Sequence, residues 1–278
     1  MFDHTRKDFF VTGATRVYGI IGDPVENSLS PLIWNSAFRA EALDSVYIPF
    51  KVSESHIEKA IMGLQSLNVC GINVTMPHKN SVARLCSKLN SPADQLQAVN
   101  TVRFSRDEIE GWNTDASGFS RLLSQMEMPE IVTVLGSGSS SRAILWALSR
   151  QNVKKIFQIS RKSVKKPEFI NPEIFYENLA WNFGNFAAAI SDSGMIINTT
   201  PLGWNISDKL PELTQNLTPK KIYIDLNYSR QSNLLQSAKK MGCKIIDGRE
   251  LLLEQGFESF RLLTGLEPPE KIMRSCLF

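Results

Sequence analysis

Residues Ile131-Val132-Thr133-Val134-Leu135-Gly136-Ser137-Gly138-Ser139-Ser140-Ser141-Arg142-Ala143-Ile144-Leu145-Trp146-Ala147-Leu148 decide the fold. The first five are mostly β-branched and apolar, as in a short buried strand. Two glycines one residue apart end that strand, and Ile144, Ala147 and Leu148 then recur at helical spacing. A strand opening through Gly-x-Gly into a helix is a turn at which nucleotide phosphates bind. The glycines allow a tight turn and close approach of a pyrophosphate, and the helix amino terminus offers free N–H groups and a positive dipole end. Gly136, Ser137, Gly138, Ser139 and Ser140 are therefore candidate cofactor ligands. Ser141 stands where the motif expects a third glycine or an alanine, and a serine is still small enough for helix and strand to pack. A glycine turn in an α/β fold that binds nothing would read the same way.

The following strand, over Lys155 to Ser160, carries a second signal. NAD-binding turns are followed about 20 residues later by an acid that holds the ribose 2′-hydroxyl. Between Ile131 and Pro167 there is no Asp or Glu, and the strand ends in Ser160-Arg161-Lys162-Ser163-Val164-Lys165-Lys166. A 2′-phosphate calls for cations and is repelled by a carboxylate. Ser160, Arg161, Lys162 and Lys165 thus point to NADP, with Arg161 foremost because its planar fork both clamps phosphate and stacks on adenine. The competing reading is a solvated basic loop.

Toward the amino terminus, Val17 to Gly22, Val46 to Phe50 and Gly71 to Thr75 read as strands. Helical patterns separate them, one opened by Ser30 as N-cap with Pro31 at the first helical position, the other by Ser53. This alternation implies a parallel, right-handed α/β layer. A helix follows Thr114-Asp115, and Met126 to Pro129 reads as the junction to the second unit. Further strands are expected over Met195 to Asn198, Lys221 to Leu226 and Lys244 to Ile246, an irregular loop from Pro201 to Pro219, and a helix from Arg249 to Thr264. The chain of 278 residues, 42% hydrophobic and 21% charged, is long enough for two domains. A formal net charge of +3 gives no argument for nucleic acid. The absence of a long apolar run or an apolar signal core, with four scattered cysteines lacking metal-ligand spacing, predicts a cytoplasmic protein that neither enters a membrane nor binds a metal.

Polar side chains gather at the strand ends of the amino-terminal half: Asn27-Ser28-Leu29-Ser30-Pro31, Asn73-Val74-Thr75-Met76-Pro77-His78-Lys79, Ala98-Val99-Asn100-Thr101 and Asn113-Thr114-Asp115. Hydroxyls, amides, an ammonium and a carboxylate suit a polyol. Oxidising a secondary alcohol needs a group that takes the hydroxyl proton as hydride leaves, and a desolvated lysine near a carboxylate can do so. Each residue also has an ordinary reading. Ser30 and Asp115 could cap helices, Lys79 could be an exposed lysine at a helix start, and His78 could be structural or at the rim. Tyr228 could pack at a strand exit, and Gln255, about 200° around its helix from Leu253, could face solvent.

From about Tyr18 to Gly265 the chain resembles the shikimate dehydrogenases. The landmarks are Ser28-x-Ser30-Pro31, Asn73-Val74-Thr75-x-Pro77-x-Lys79, Ala98-Val99-Asn100-Thr101, Asn113-Thr114-Asp115, Asn198-Thr199-Thr200-Pro201-Leu202-Gly203 and Gln255, all in register. The resemblance implies an amino-terminal α/β substrate domain (1–115), a Rossmann-type NADP-binding domain (116–248) and a carboxy-terminal helical segment (249–278) returning to the first. It implies reversible reduction of 3-dehydroshikimate by NADPH, a step of chorismate biosynthesis, without metal, in a monomer or homodimer. Ser28 and Ser30, with Tyr228, would bind the substrate carboxylate. Asn73, Thr75, Asn100 and Gln255 would bind ring hydroxyls, Lys79 and Asp115 would be the catalytic pair, and Thr199 and Thr200 would line the cofactor. Asn27 and Trp34 replace histidines common in the family, Trp204 replaces a methionine, and the glycine turn carries serines. A quinate or amino-shikimate variant, or a non-catalytic sensor holding both ligands, are the alternatives.

Overall fold

The computed structural model describes residues 11–203, 216–228 and 232–278. Trp204 and most of the loop expected between Pro201 and Pro219 lie outside the described residues. The chain divides into two compact units, one comprising Met1–Asn90, Gln97–Trp112 and Ser259–Phe278, the other Ser91–Leu96 and Asn113–Glu258.

The first unit contains β1 (Arg16–Gly22), α1 (Ser30–Ala40), β2 (Ser45–Lys51), a 3-10 turn at Glu54–His56 continuing into α2 (Ile57–Ser66), β3 (Gly71–Val74), α3 (Lys79–Ala83) and β4 (Lys88–Leu89). The chain returns to this unit with β5 (Thr101–Phe104) and β6 (Ile109–Trp112). The sheet order is β2-β1-β3-β5-β6-β4. β1 runs parallel to β2 and β3, but β5 is antiparallel to β3 and β6, so the layer is mixed rather than wholly parallel. A short hairpin needs no crossover helix, and β5 and β6 are joined by only a few residues.

Two helix starts differ from expectation. Ser30 lies inside α1, behind Leu29, and the hydroxyl of Ser28 accepts its N–H at 3.3 Å. A serine two residues upstream thus takes up an orphan amide, a local turn that competes with simple capping. Ser53 precedes the 3-10 turn, with its hydroxyl on His56 Nδ1 at 2.8 Å, and α2 begins only at Ile57.

The core of this unit is aromatic. Trp34 is 1% exposed and stacks on Tyr47 at 4.9 Å, with Tyr18, Phe38 and Phe260 packed around it. The helix α10 (Glu270–Ser275) packs on α1.

The second unit holds α4 (Ala93–Leu96), α5 (Thr114–Ser124), β7 (Ile131–Leu135), α6 (Ser139–Leu148), β8 (Lys155–Ser160), β9 (Phe175–Ala180), α7 (Phe183–Asp192), β10 (Met195–Asn198), β11 (Ile222–Asp225), α8 (Asn233–Lys240) and β12 (Lys244–Asp247). Its sheet, ordered β12-β11-β10-β7-β8-β9, is parallel throughout. Strand residues alternate between two cores, as a sheet covered on both faces requires. Val132, Val134, Ile156, Ile197 and Ile224 face α5 and α6, whereas Leu135, Phe157, Ile159, Ile196 and Tyr223 face α7 and α8. The helix α9 (Gly248–Thr264) begins in this unit and ends in the first. Among the described residues no helix is long and apolar enough to cross a membrane.

Candidate functional site

Each sheet reverses its winding once, and ligands of open α/β sheets bind outside the carboxyl ends of the strands at such a reversal. In the first unit it falls between β1 and β3. Ser28 and Ser30 follow β1, while Asn73 and Thr75 close β3 and lead to Lys79. Across the strand pair, Asn73 lies opposite Thr101, which brings Asn100 to the same edge. The structure therefore assembles Ser28, Ser30, Asn73, Thr75, Lys79 and Asn100 at one end of one sheet. Ser30, Asn73 and Asn100 are buried, and Ser28, Thr75 and Lys79 half-buried.

Local bonding explains how these side chains are held. The amide of Val99 donates to the Lys79 carbonyl at 3.0 Å, pinning the start of α3 to the 98–101 segment. Thr75 N–H donates to the Ile21 carbonyl at 2.9 Å, tying the exit of β3 to β1. His78 is structural rather than at the rim: it is 1% exposed, with Nε2 on the Val52 carbonyl at 2.6 Å.

Asp115, Tyr228 and Gln255 belong to the second unit. Asp115 does not cap α5. Asn113 does, accepting the Ala116 N–H at 3.1 Å, because its side chain stands three residues before that amide. The carboxylate of Asp115 sits in the first helical turn, where the dipole favours negative charge. Burial raises the Tyr228 phenol pKa above its ordinary value, and the negative charge of Asp115 raises it further, so the two groups are electrostatic neighbours. Gln255 is half-buried, not solvent-facing. Its Nε2 donates to the Leu252 carbonyl at 2.6 Å, and its Oε1 lies 3.5 Å from the Thr114 hydroxyl. A Cβ at Gly118 would fall 2.6 Å from the Gln255 backbone nitrogen, so only glycine lets α9 lie this close to α5. Sequence reasoning missed Gly118, whose signal is a lone glycine within a helical pattern.

The winding of the second sheet reverses between β7 and β10, where the glycine turn meets Thr199 and Thr200. Gly136 has φ +109°, and a Cβ there would lie 2.5 Å from Thr199 Oγ1 and 2.9 Å from Thr200 Cγ2. Those threonines cannot easily give way. Thr199 Oγ1 donates to the Leu135 carbonyl at 2.6 Å, and Thr200 Oγ1 to Asn198 Oδ1 at 2.7 Å. Ser141 is fully buried, donates to the Gly136 carbonyl at 3.0 Å and accepts from Gln158 Nε2 at 2.9 Å. A bonded serine thus packs helix against strand where the motif usually has no hydroxyl.

Gly138 differs from Gly136. Its backbone is extended, and a Cβ would meet nothing within 4 Å. The protein leaves open space there, before the first-turn amides of Ser139, Ser140 and Ser141, which no side chain caps.

At the end of β8, Ser160 is buried, donating to the Lys162 carbonyl at 2.6 Å, while Arg161, Lys162 and Lys165 are exposed and make no ion pair among the described residues. Lys166 is different, with Nζ on the Ile174 carbonyl at 2.8 Å. A buried polar cluster that sequence reasoning did not pick out supports the Thr199-Thr200 turn. Asn198 Nδ2 donates to Leu202 O at 3.1 Å and approaches Asp225 Oδ1 at 3.3 Å, and Asn227 N–H donates to Asp225 Oδ1 at 3.0 Å. Burial raises the Asp225 pKa, opposed by its bonds to Asn227, Ser232 and Asn198. Among the described residues no cluster of His, Cys, Asp and Glu is arranged to hold a metal.

A family model described as the shikimate dehydrogenase substrate binding domain matches residues 20–102, and one described as the shikimate 5′-dehydrogenase C-terminal domain matches residues 248–275. Shikimate dehydrogenase (NADP(+)) of Methanothermobacter thermautotrophicus is 33% identical over 275 residues, covering 96% of this chain and 97% of that protein. The crystal structure of shikimate dehydrogenase from Aquifex aeolicus superposes with a TM-score of 0.85 at 32% identity, over 96% of this chain and 99% of that one. Shikimate 5-dehydrogenase of Listeria monocytogenes, in complex with shikimate and NAD, gives a TM-score of 0.84 at 28% identity, over 96% of this chain and 98% of that one.

Proposed function

The chain belongs to the shikimate dehydrogenase family, and on that premise we propose that it interconverts shikimate and 3-dehydroshikimate with NADP(H), in the cytosol. One observation carries this reading. The reversal of the first sheet gathers hydroxyls, amides and the ammonium of Lys79, while that of the second gathers a glycine turn beside an acid-free basic strand end.

The residues fit the cofactor. Open space at Gly138 leaves room for a pyrophosphate on the uncapped amides of α6, and Arg161, Lys162 and Lys165 supply exposed positive charge for a 2′-phosphate. Gly136, Ser137, Ser160, Thr199 and Thr200 complete that surface. NADPH, when bound, supplies the hydride. Ser28 and Ser30 hold the substrate carboxylate, with Tyr228 as a further hydroxyl donor. Asn73, Thr75, Asn100 and Gln255 bind ring hydroxyls. Lys79 gives a proton to the C3 oxygen during reduction and takes it back during oxidation, and Asp115 orients the substrate. The residues from 1 to 115 supply most of the substrate-binding part, those from 116 to 248 the cofactor-binding part, and the carboxy-terminal segment 249–278 contributes Gln255.

The deciding experiment is a grid of initial rates, with shikimate and quinate each against NADP and NAD. Shikimate with NADP is expected to give the highest kcat/KM. Faster turnover of quinate would reassign the substrate, and equal or better rates with NAD would reassign the cofactor. Replacing Arg161 by alanine should raise the KM for NADP roughly 10- to 100-fold, the size of a lost charge-assisted contact, and leave NAD kinetics nearly unchanged. Equal effects on both cofactors would show that Arg161 does not read the 2′-phosphate.

A further inference from the structure

The Asn73 amide nitrogen has no hydrogen left for a ligand. Its Nδ2 lies 3.2 Å from the Asn100 carbonyl, 3.0 Å from Thr101 Oγ1 and 2.8 Å from Ser259 Oγ, so two N–H bonds face three acceptors. Its Oδ1 lies 2.8 Å from the Tyr47 hydroxyl. Three of these four partners are hydroxyls, able to donate or accept. The carbonyl of Asn100 can only accept, and it therefore fixes which end of the amide is the nitrogen. Tyr47 must then donate to Oδ1. An amide oxygen accepts two hydrogen bonds, so Asn73 retains one lone pair and no donor.

The partners are themselves held. Tyr47 is 1% exposed, its ring stacks on Trp34 at 4.9 Å, and Asn35 bonds both its N–H and its carbonyl at 2.9 Å. Ser259 is fully buried on α9, and its hydroxyl also meets Thr101 Oγ1 at 2.8 Å. Trp34 is itself 1% exposed, so a buried indole stack stiffens the support.

We propose that Tyr47 and Ser259 are positioning residues that lock Asn73 as an acceptor-only reader of one substrate hydroxyl, a proposal that rests on the assignment of Asn73 to the substrate. The chemistry restricts which hydroxyl this is. The reacting oxygen is an alcohol in one direction and a ketone in the other, and a ketone has no proton to give Asn73. The lock suits a ring hydroxyl that stays a hydroxyl throughout turnover, and it rejects a keto, ether or fluoro group at that position.

The test uses the whole enzyme, shikimate, and two analogues in which one or other non-reacting ring hydroxyl is replaced by fluorine, which cannot donate. Binding is read by calorimetry and turnover by NADPH formation. The wild type is expected to bind one of the two analogues at least about tenfold more weakly than shikimate, the size of one lost hydrogen bond with an acceptor left unsatisfied. Tyr47→Phe and Ser259→Ala should each weaken shikimate binding and raise its KM about tenfold, with kcat changed less than about threefold. The KM for NADP and the pH profile of kcat should stay in place, and the discrimination against the fluoro analogue should shrink. A merely structural role would move both KM values together. If Ser259→Ala does not fold, Tyr47→Phe carries the test, since it removes one oxygen and keeps the stacked ring. Unchanged shikimate binding in Tyr47→Phe, or undiminished fluoro discrimination, would overturn the lock. Shikimate binding without turnover in the wild type would sink the proposed function alone, and no shikimate binding would sink both.

Discussion

Replacing Lys79 by alanine is expected to lower kcat about a thousandfold while the KM for shikimate rises less than about tenfold, the pattern of a group used mainly in the transition state. The backbone around the residue should survive, because the bond from Val99 N–H is to the Lys79 carbonyl and not to its side chain. No neighbour on α3 can take over the proton. His78 is the adjacent titratable group, but it is 1% exposed with Nε2 committed to the Val52 carbonyl. Lys79→Arg separates two explanations. Arginine keeps the positive charge but does not release its proton, because its guanidinium stays charged far above the working pH range. If Lys79 transfers the proton, the arginine variant should be about as slow as the alanine variant. If it only stabilises negative charge on the C3 oxygen, arginine should restore much of the rate. An alanine variant within about threefold of wild type would remove Lys79 from the chemistry altogether.

The strands and helices that carry the second unit were legible because both faces of its sheet are covered. Runs such as Ile131 to Leu135 and Met195 to Asn198 are then almost wholly apolar and stand out from their surroundings. The β5–β6 hairpin was not, and the reason is a cross-strand charge cluster. Arg103 and Glu110 sit opposite one another in register and form an ion pair, and Lys88 bonds the same carboxylate at 2.6 Å. Burial alone would raise the Glu110 pKa, but Lys88, Asn90 and Arg103 hold it below its ordinary value. An Arg and a Glu inside four-residue strands destroy the period-two signal, although together they stabilise the hairpin. The same limit applies to the site. Ser28, Asn73 and Lys79 were identifiable as polar residues at strand exits. Their supports were not, because Tyr47, Ser259 and Gly118 look like ordinary strand and helix residues until the fold sets them beside Asn73 and Gln255. Asp115 shows the converse. A carboxylate at a helix start looks like a cap, and only the structure shows that Asn113 takes that role instead.

The two glycines of the cofactor turn should fail in different ways when replaced by alanine. At Gly136 the backbone is in the left-handed half of conformational space, and the new methyl would lie 2.5 Å from Thr199 Oγ1. Rotating that hydroxyl away would break its bond to the Leu135 carbonyl at 2.6 Å, and Thr200 is anchored equally firmly on Asn198. Relief must therefore come from the main chain. Movement there disturbs the Gly136 carbonyl, which accepts from Ser141 at 3.0 Å and from Gln158 at 2.7 Å. Gly136→Ala is expected to cost about 2–4 kcal/mol of stability, combining backbone strain with overpacking, and to raise the KM for NADP at least about 30-fold. Thermal melting and cofactor titration measure the two effects. Gly138→Ala meets neither obstacle, because its backbone is extended and a Cβ would touch nothing within 4 Å. Its stability should match wild type within about 0.5 kcal/mol, the range of substitutions that disturb no packing. If a pyrophosphate passes over that glycine, the methyl nonetheless stands in its place, and NADP affinity should fall by about tenfold or more. The comparison isolates the ligand from the fold. A Gly138→Ala enzyme as stable as wild type that binds NADP equally well would mean that the open space at the head of α6 is not where the phosphates lie.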